Sequence, residues 1–154
     1  MKVRGRWHYL YRAIDRDGNL VDTMLSKTRD LVAAEAFFRQ AVDTVGSKPD
    51  RVTTDKHAAY PQAIQSVLGF AVVHRTTQYL NNRIEQYHRS LKQRYYPMRG
   101  FGAFVSAARF CSAFEELRHY VRSRPTKLAP LSLLERRRLF QTRFNALIIA
   151  CQTL

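Results

Sequence analysis

Asp55 follows Arg51-Val52-Thr53-Thr54, whose β-formers predict a short strand, and a helix is predicted to open shortly after, around Tyr60. A carboxylate at the C-terminal end of a strand stands where mixed α/β sheets hold their ligands. The same position suits a helix N-cap, a role worth about 1 kcal/mol, and position alone favours the cap. Glu85 is the second candidate. Its neighbours at i+3, i+4 and i+7 are His88, Arg89 and Lys92, which share its face of a predicted helix. On one reading this is a solvated Glu–Arg pair worth a few tenths of a kcal/mol, roughly. On the other it is a metal-binding carboxylate beside cations that grip a phosphate backbone. Periodicity does not decide between them. If Asp55 and Glu85 meet in space, the pair has the hardness that suits Mg²⁺, which prefers oxygen ligands.

The elements that must position these residues are legible in outline. Aromatic and β-forming residues from Trp7 to Ile14, the turn chemistry of Asp15-Arg16-Asp17-Gly18-Asn19, and the run Leu20 to Leu25 predict a hairpin. From Leu31 the period becomes helical, with Leu31, Ala34, Phe38, Ala41, Val42 and Val45 on one face and Gly46 as the stop. The helix from Tyr60 to Leu68 carries Pro61 in its first turn and Gly69 after its end. Phe70-Ala71-Val72-Val73 reads as another short strand. A basic helix is predicted from Asn82 to about Tyr95, broken by Pro97 and Gly100, and a further helix from about Ala103 to Val121. The latter's apolar stripe is Phe104, Ala108, Cys111, Phe114 and Leu117. Pro125 and Pro130 delimit a linker, and Ser132-Leu133-Leu134-Glu135 has the form of a capping box that opens a last helix. That helix carries Arg136-Arg137-Arg138 near its start, where the macrodipole disfavours cations, so the triplet is expected to face solvent or a polyanion. The order predicts a mixed α/β domain with an antiparallel start and helices gathered late.

Composition narrows the partners. The chain of 154 residues has 26 Lys plus Arg against 12 Asp plus Glu, a formal net charge of +14, and 45% hydrophobic residues. That is enough apolar material for a core, and an excess of positive charge that fits a partner with many phosphates rather than a small neutral substrate. The charge is lopsided: residues 1–74 hold 11 basic and 8 acidic side chains, residues 75–154 hold 15 and 4. The longest apolar run near the C-terminus, Ala146 to Cys151, falls far short of the roughly 20 residues of a membrane span. The N-terminus lacks the apolar segment of a signal peptide. Cys111 and Cys151 have no metal-site spacing and sit among apolar neighbours, which predicts buried free thiols. A soluble cytoplasmic protein without membrane contact is the expectation.

Three stretches are more specific than their spacing: Trp7-His8-Tyr9-Leu10-Tyr11-Arg12-Ala13-Ile14-Asp15, Thr54-Asp55-Lys56-His57-Ala58-Ala59-Tyr60-Pro61, and Tyr79-Leu80-Asn81-Asn82-Arg83-Ile84-Glu85-Gln86-Tyr87-His88-Arg89 with Lys92. Together they resemble bacterial insertion-sequence transposases of the IS-six group, within the DDE transposase and retroviral-integrase superfamily. The resemblance runs from about Lys2 to Tyr120. It implies an RNase H-like fold, a mixed sheet flanked by helices, over residues 1–124, in which three carboxylates bind two divalent ions, Mg²⁺ or Mn²⁺. Residues 125–154, beyond the resemblance, are the linker and basic amphipathic helix read from the residues themselves. It makes Asp55 the second acidic residue and Glu85 the third, both catalytic and metal-binding. Lys92 matches a DNA-contacting residue of many relatives, and Arg89, His88, Arg83 and Arg94 join it as DNA-binding candidates. The implied reaction is DNA strand cleavage and strand transfer by metal-assisted in-line phosphoryl transfer. The partners are double-stranded DNA, both element ends and target, and a second copy or a full-length transposase.

The sequence departs from the pattern in three places. The family's first catalytic Asp lies in an Asp-Glu-Thr-Tyr stretch just before the equivalent of Lys2, and this sequence begins at Met1, which predicts an incomplete site that is inactive alone. Only 29 residues separate Asp55 from Glu85, fewer than usual, and Tyr87 stands where relatives commonly have Asp. Asp15 and Asp17 are explained by turn chemistry. Tyr79, Tyr87, Tyr95 and Tyr96 interleave with cations and suit either base stacking or packing. Trp7 is expected in the core, and His57, His74, His88 and His119 read as polar surface or hydrogen-bonded residues. The competing reading, from a different class, is a non-catalytic DNA-binding or transposase-interacting fragment.

Overall fold

The computed structural model describes residues 1–76, 82–121 and 131–152, with 82–88 described only as part of a helix. A short hairpin, β1 (Lys2–Val3) and β2 (Arg6–Trp7), leads into a longer one, β3 (Tyr9–Ile14) and β4 (Leu20–Ser26). Both are antiparallel. Asp15 closes the second turn, its carboxylate accepting from the Asn19 backbone at 2.7 Å and side chain at 2.8 Å. Asp15 therefore does turn chemistry, and its carboxyl is held below its ordinary pKa: the hydrogen bonds from Asn19 and the turn backbone outweigh desolvation.

Helix α1 (Leu31–Val45) follows. Asp30 caps its start by accepting from Ala33 N–H at 2.9 Å, and Gly46, at φ 74°, ends it in the left-handed conformation. The buried face is Ala33, Ala34, Phe37 and Phe38, whereas Val45 is exposed. The predicted stripe is thus rotated by about one residue, because Ala33 and Phe37 meet the β3–β4 hairpin and α2.

Strand β5 (Arg51–Thr54), helix α2 (Ala59–Val67) and strand β6 (Val73–Thr76) form a parallel β-α-β crossover. The predicted strand Phe70–Val73 is displaced. Val73 N–H donates to Asp50 O at 3.0 Å and starts the ladder, while Phe70 is 88% exposed beyond Gly69. The apolar run misled because pairing with β5, rather than hydropathy, sets the register.

Helix α3 (Asn82–Tyr95) leads through a 3₁₀ turn, Tyr96–Met98, into α4 (Phe104–Val121). Helix α5 (Leu133–Gln152) opens on the expected capping box: Glu135 Oε2 accepts from Ser132 N–H at 2.7 Å, and Ser132 Oγ accepts from Glu135 N–H at 3.2 Å.

The strands pair in three separate two-stranded ladders, and an isolated parallel bridge links Val3 of β1 to Phe101. Among the described residues the pairing is not one continuous mixed sheet. The architecture is mixed α/β, and the chain divides into two compact units, Met1–Ser112 and Ala113–Leu154, with the boundary inside α4.

The first unit has two apolar clusters. Tyr11, Phe37, Phe38, Ala63, Ile64 and Leu68 build one between the long hairpin, α1 and α2. Val3, Leu25, Ala107 and Cys111 build the other. In the second unit α5 buries no residue, Arg136, Arg137 and Arg138 are exposed as expected, and Arg143 donates to Tyr120 O at 2.8 Å. The cysteine expectation holds for Cys111 and fails for Cys151, which is exposed on a helix with no buried side to receive it. The Trp7 expectation also fails: the residue is 61% exposed, because β2 is a two-residue strand in which Trp7 pairs with the exposed Lys2.

Candidate active site and nucleic-acid face

Asp55 emerges directly from the end of β5, before the turn that starts α2. Helix α2 begins after Ala58, which makes no side-chain cap, so the N-cap alternative for Asp55 is not what the fold uses. Asp55 Oδ1 instead accepts from the His57 backbone N–H at 3.1 Å, and Oδ2 accepts from the Arg29 guanidinium at 2.8 Å. Arg29 comes from the β4–α1 connection, one residue before the Asp30 cap, so the capped start of α1 fixes where it projects.

Tyr60, in the first turn of α2, completes the group. Its side chain hydrogen-bonds to Arg29, and its ring meets Tyr11 edge-on at 6.4 Å and His57 at 5.7 Å. Burial, reinforced by Asp55, pushes the Tyr60 phenol above its ordinary pKa. Burial likewise pushes Tyr11 up to about 12, with Tyr60 adding to the effect. Desolvation works against the Arg29 charge, but Asp55 and Tyr60 outweigh it and hold the guanidinium above its ordinary pKa. The result is a fixed cation on the carboxylate with two neutral phenols behind it.

The strand end beneath is also tied. Thr54 Oγ1 donates to Asp55 O at 2.9 Å and lies 2.8 Å from His74 Nε2. The hydroxyl has one proton to give, so His74 Nε2 is the donor of the second bond. His57 and His74 thus act as hydrogen-bonded residues.

The described residues hold no group of three or more His, Cys, Asp or Glu that could bind a metal. Asp55 is the right kind of donor for Mg²⁺ or Mn²⁺. Yet one of its oxygens already carries a guanidinium. A divalent ion at Asp55 would therefore compete with Arg29 for Oδ2 or bind beside it at Oδ1. Glu85, Arg83 and His88 lie on α3 by position, and their side chains fall outside the described residues, so the structure gives one carboxylate of the expected pair with its surroundings.

The last two turns of α3 are amphipathic. Leu91 and Tyr95 are 3% and 5% exposed, while Arg89, Lys92 and Arg94 face solvent. Lys92 and Arg94 also lie in the last turn, where the helix dipole favours cations. Of the tyrosines considered for stacking, Tyr95 is core and Tyr96 is exposed, Tyr79 falls outside the described residues, and the side chain of Tyr87 does too. Sequence reasoning missed Arg29, Tyr60 and Tyr11 as neighbours of Asp55. No local spacing links them, and only the meeting of hairpin, α1 and α2 does.

A family model described as a DDE domain matches residues 1–124. The chain belongs to the DDE-domain transposase family. It is 42% identical over 98 residues to a transposase for the insertion sequence-like element IS431mec of Staphylococcus aureus strain Mu50, covering 61% of this chain and 43% of the relative. The figures are the same for the transposase of insertion sequence element IS257 in transposon Tn4003 of S. aureus. An uncharacterized protein of Yersinia pseudotuberculosis is 36% identical over 70 residues, 44% of this chain and 65% of that protein. The chain spans less than half the length of the staphylococcal relatives. No solved structure shows a significant match. No described helix is long and apolar enough to cross a membrane.

Proposed function

We propose that residues 1–124 are the catalytic domain of a transposase that cleaves and joins DNA by Mg²⁺- or Mn²⁺-dependent phosphoryl transfer, with 125–154 as a linker and basic helical extension. The observation that carries this is the position of Asp55 at the end of β5, in a chain of the DDE family. Asp55 and Glu85 are the metal-binding carboxylates, and Arg89, Lys92 and Arg94, with Arg83 and His88, are the DNA-contacting groups. The order of elements supports an RNase H-like arrangement: an antiparallel start, α1, then a parallel β5-α2-β6 crossover. Phosphate contacts from the α3 cations position the strand without reading sequence. Double-stranded DNA is the substrate, and a second copy or a full-length transposase is the protein partner.

The Arg29–Asp55 contact favours a second reading, in which the chain binds DNA without cutting it. Nicking of supercoiled plasmid by the full chain separates the two. Mn²⁺-dependent nicking that Asp55→Asn abolishes supports the catalytic reading. DNA binding without nicking at any Mn²⁺ concentration overturns it in favour of the second.

A further inference from the structure

The β1–β2 hairpin carries a feature that the site around Asp55 does not use. Its turn is Arg4-Gly5, with φ 48° and 77°, the left-handed pair that a two-residue hairpin demands. The turn is pinned to the segment after the 3₁₀ turn. Arg4 N–H donates to Phe101 O at 2.9 Å, Arg4 Nε to Gly102 O at 2.7 Å, and Phe101 N–H to Lys2 O at 3.2 Å. Gly100, at φ 115°, permits this approach, since a Cβ there would lie 3.3 Å from Lys2 O. Val3 is buried beneath. The hairpin is thereby a fixed ledge.

Trp7 stands exposed on that ledge. Its cross-strand partner is Lys2, whose Nζ lies 5.2 Å from the centroid of one Trp7 ring. Arg4, Arg6 and Arg99 are exposed on the same two segments, and Tyr96 is 62% exposed. Neither residues 1–14 nor residues 86–114 contain an acidic side chain, while together they hold nine Lys and Arg. An indole left in water with a cation beside it, on segments rich in Lys and Arg, is matched by a partner that offers both phosphates and a flat π-face. Duplex DNA hides its base faces in the stack; an unpaired strand presents them.

We propose that Trp7, with Lys2, Arg4, Arg6 and Arg99, forms a binding site for single-stranded DNA, with an unpaired base stacked on the indole and its phosphates on the cations. This rests on the reading that the chain acts on DNA. Trp7 is the sole tryptophan of the sequence, so its fluorescence reports this site alone.

The full chain is titrated with an oligothymidylate and with a duplex, following Trp emission and, on end-labelled strands, anisotropy. The expected result is quenching of Trp7 by the oligothymidylate and little change with duplex. Trp7→Ala should weaken oligothymidylate binding by about 5-fold or more, the lower end of what losing one base–aromatic stack costs. Its duplex affinity should stay within about twofold. Trp7→Phe, which keeps a stacking ring, should recover most of the loss. Arg6→Ala should lower the single-strand salt slope by about 0.7. Equal quenching by duplex, or anisotropy without any change in Trp emission, overturns the proposal and leaves the DNA-acting reading intact. Binding to neither strand form overturns both.

Discussion

Arg29 meets Asp55 across 26 residues of sequence, and both side chains are about two-fifths exposed, 39% and 43%. An ion pair this wet contributes little to folding, no more than about 1 kcal/mol. Arg29→Ala should therefore lower the urea-unfolding free energy by less than about 1 kcal/mol while leaving Asp55 open to other cations. Mn²⁺ binding, followed by electron paramagnetic resonance, should be tighter in Arg29→Ala than in the unaltered chain. Equal or weaker binding would mean that the guanidinium does not compete for the carboxylate. Tyr11 gives a second test. Its folded pKa of about 12 exceeds the ordinary 10 because burial disfavours the phenolate. Between those values the unfolded chain has lost a proton that the folded chain keeps, so stability falls as pH rises from about 10 to about 12. Tyr11→Phe should flatten that fall in urea melts taken across the range.

At the scale of the element, the bounds of α1 were legible because the helical period opens at Leu31 and Gly46 stops it, while the Asp30 cap emerged only in the structure. Its buried face was not, since which stripe is covered depends on the hairpin and α2 that arrive later. Phe38→Ala should cost about 3–5 kcal/mol, whereas Val45→Ala, on the exposed side, should stay within about 0.5 kcal/mol. Urea unfolding of the two variants measures the difference. Strand β6 shows the converse. Four residues of apolar character were placed three positions too early, because a parallel strand is defined by its ladder to β5. Trp7 was misread for a related reason: aromatic residues among β-formers read as core, but a two-residue edge strand has nothing on its outer side to cover the ring.

At the scale of the whole molecule, the charge imbalance was legible from composition, and its concentration after residue 75 pointed to the basic helix. The described part of α3 bears this out, with Arg89, Lys92 and Arg94 outward and Leu91 and Tyr95 inward. Asp55 could be singled out at its strand end, where position alone favours a helix cap, and only the family resemblance gives it a metal-binding role. Its companions Arg29 and Tyr60 could not, because tertiary packing alone brings them to it. The proposal that the polyanion is DNA rests on family membership, which neither periodicity nor charge provides. The measurement that tests this most directly is the salt dependence of duplex binding by the full chain and by the Arg89→Ala/Lys92→Ala/Arg94→Ala variant. If these three cations release counterions from DNA phosphates, log K against log salt should lose up to about 2.7 of its slope in the variant. An unchanged slope would contradict the assignment of α3 as the DNA-contacting face.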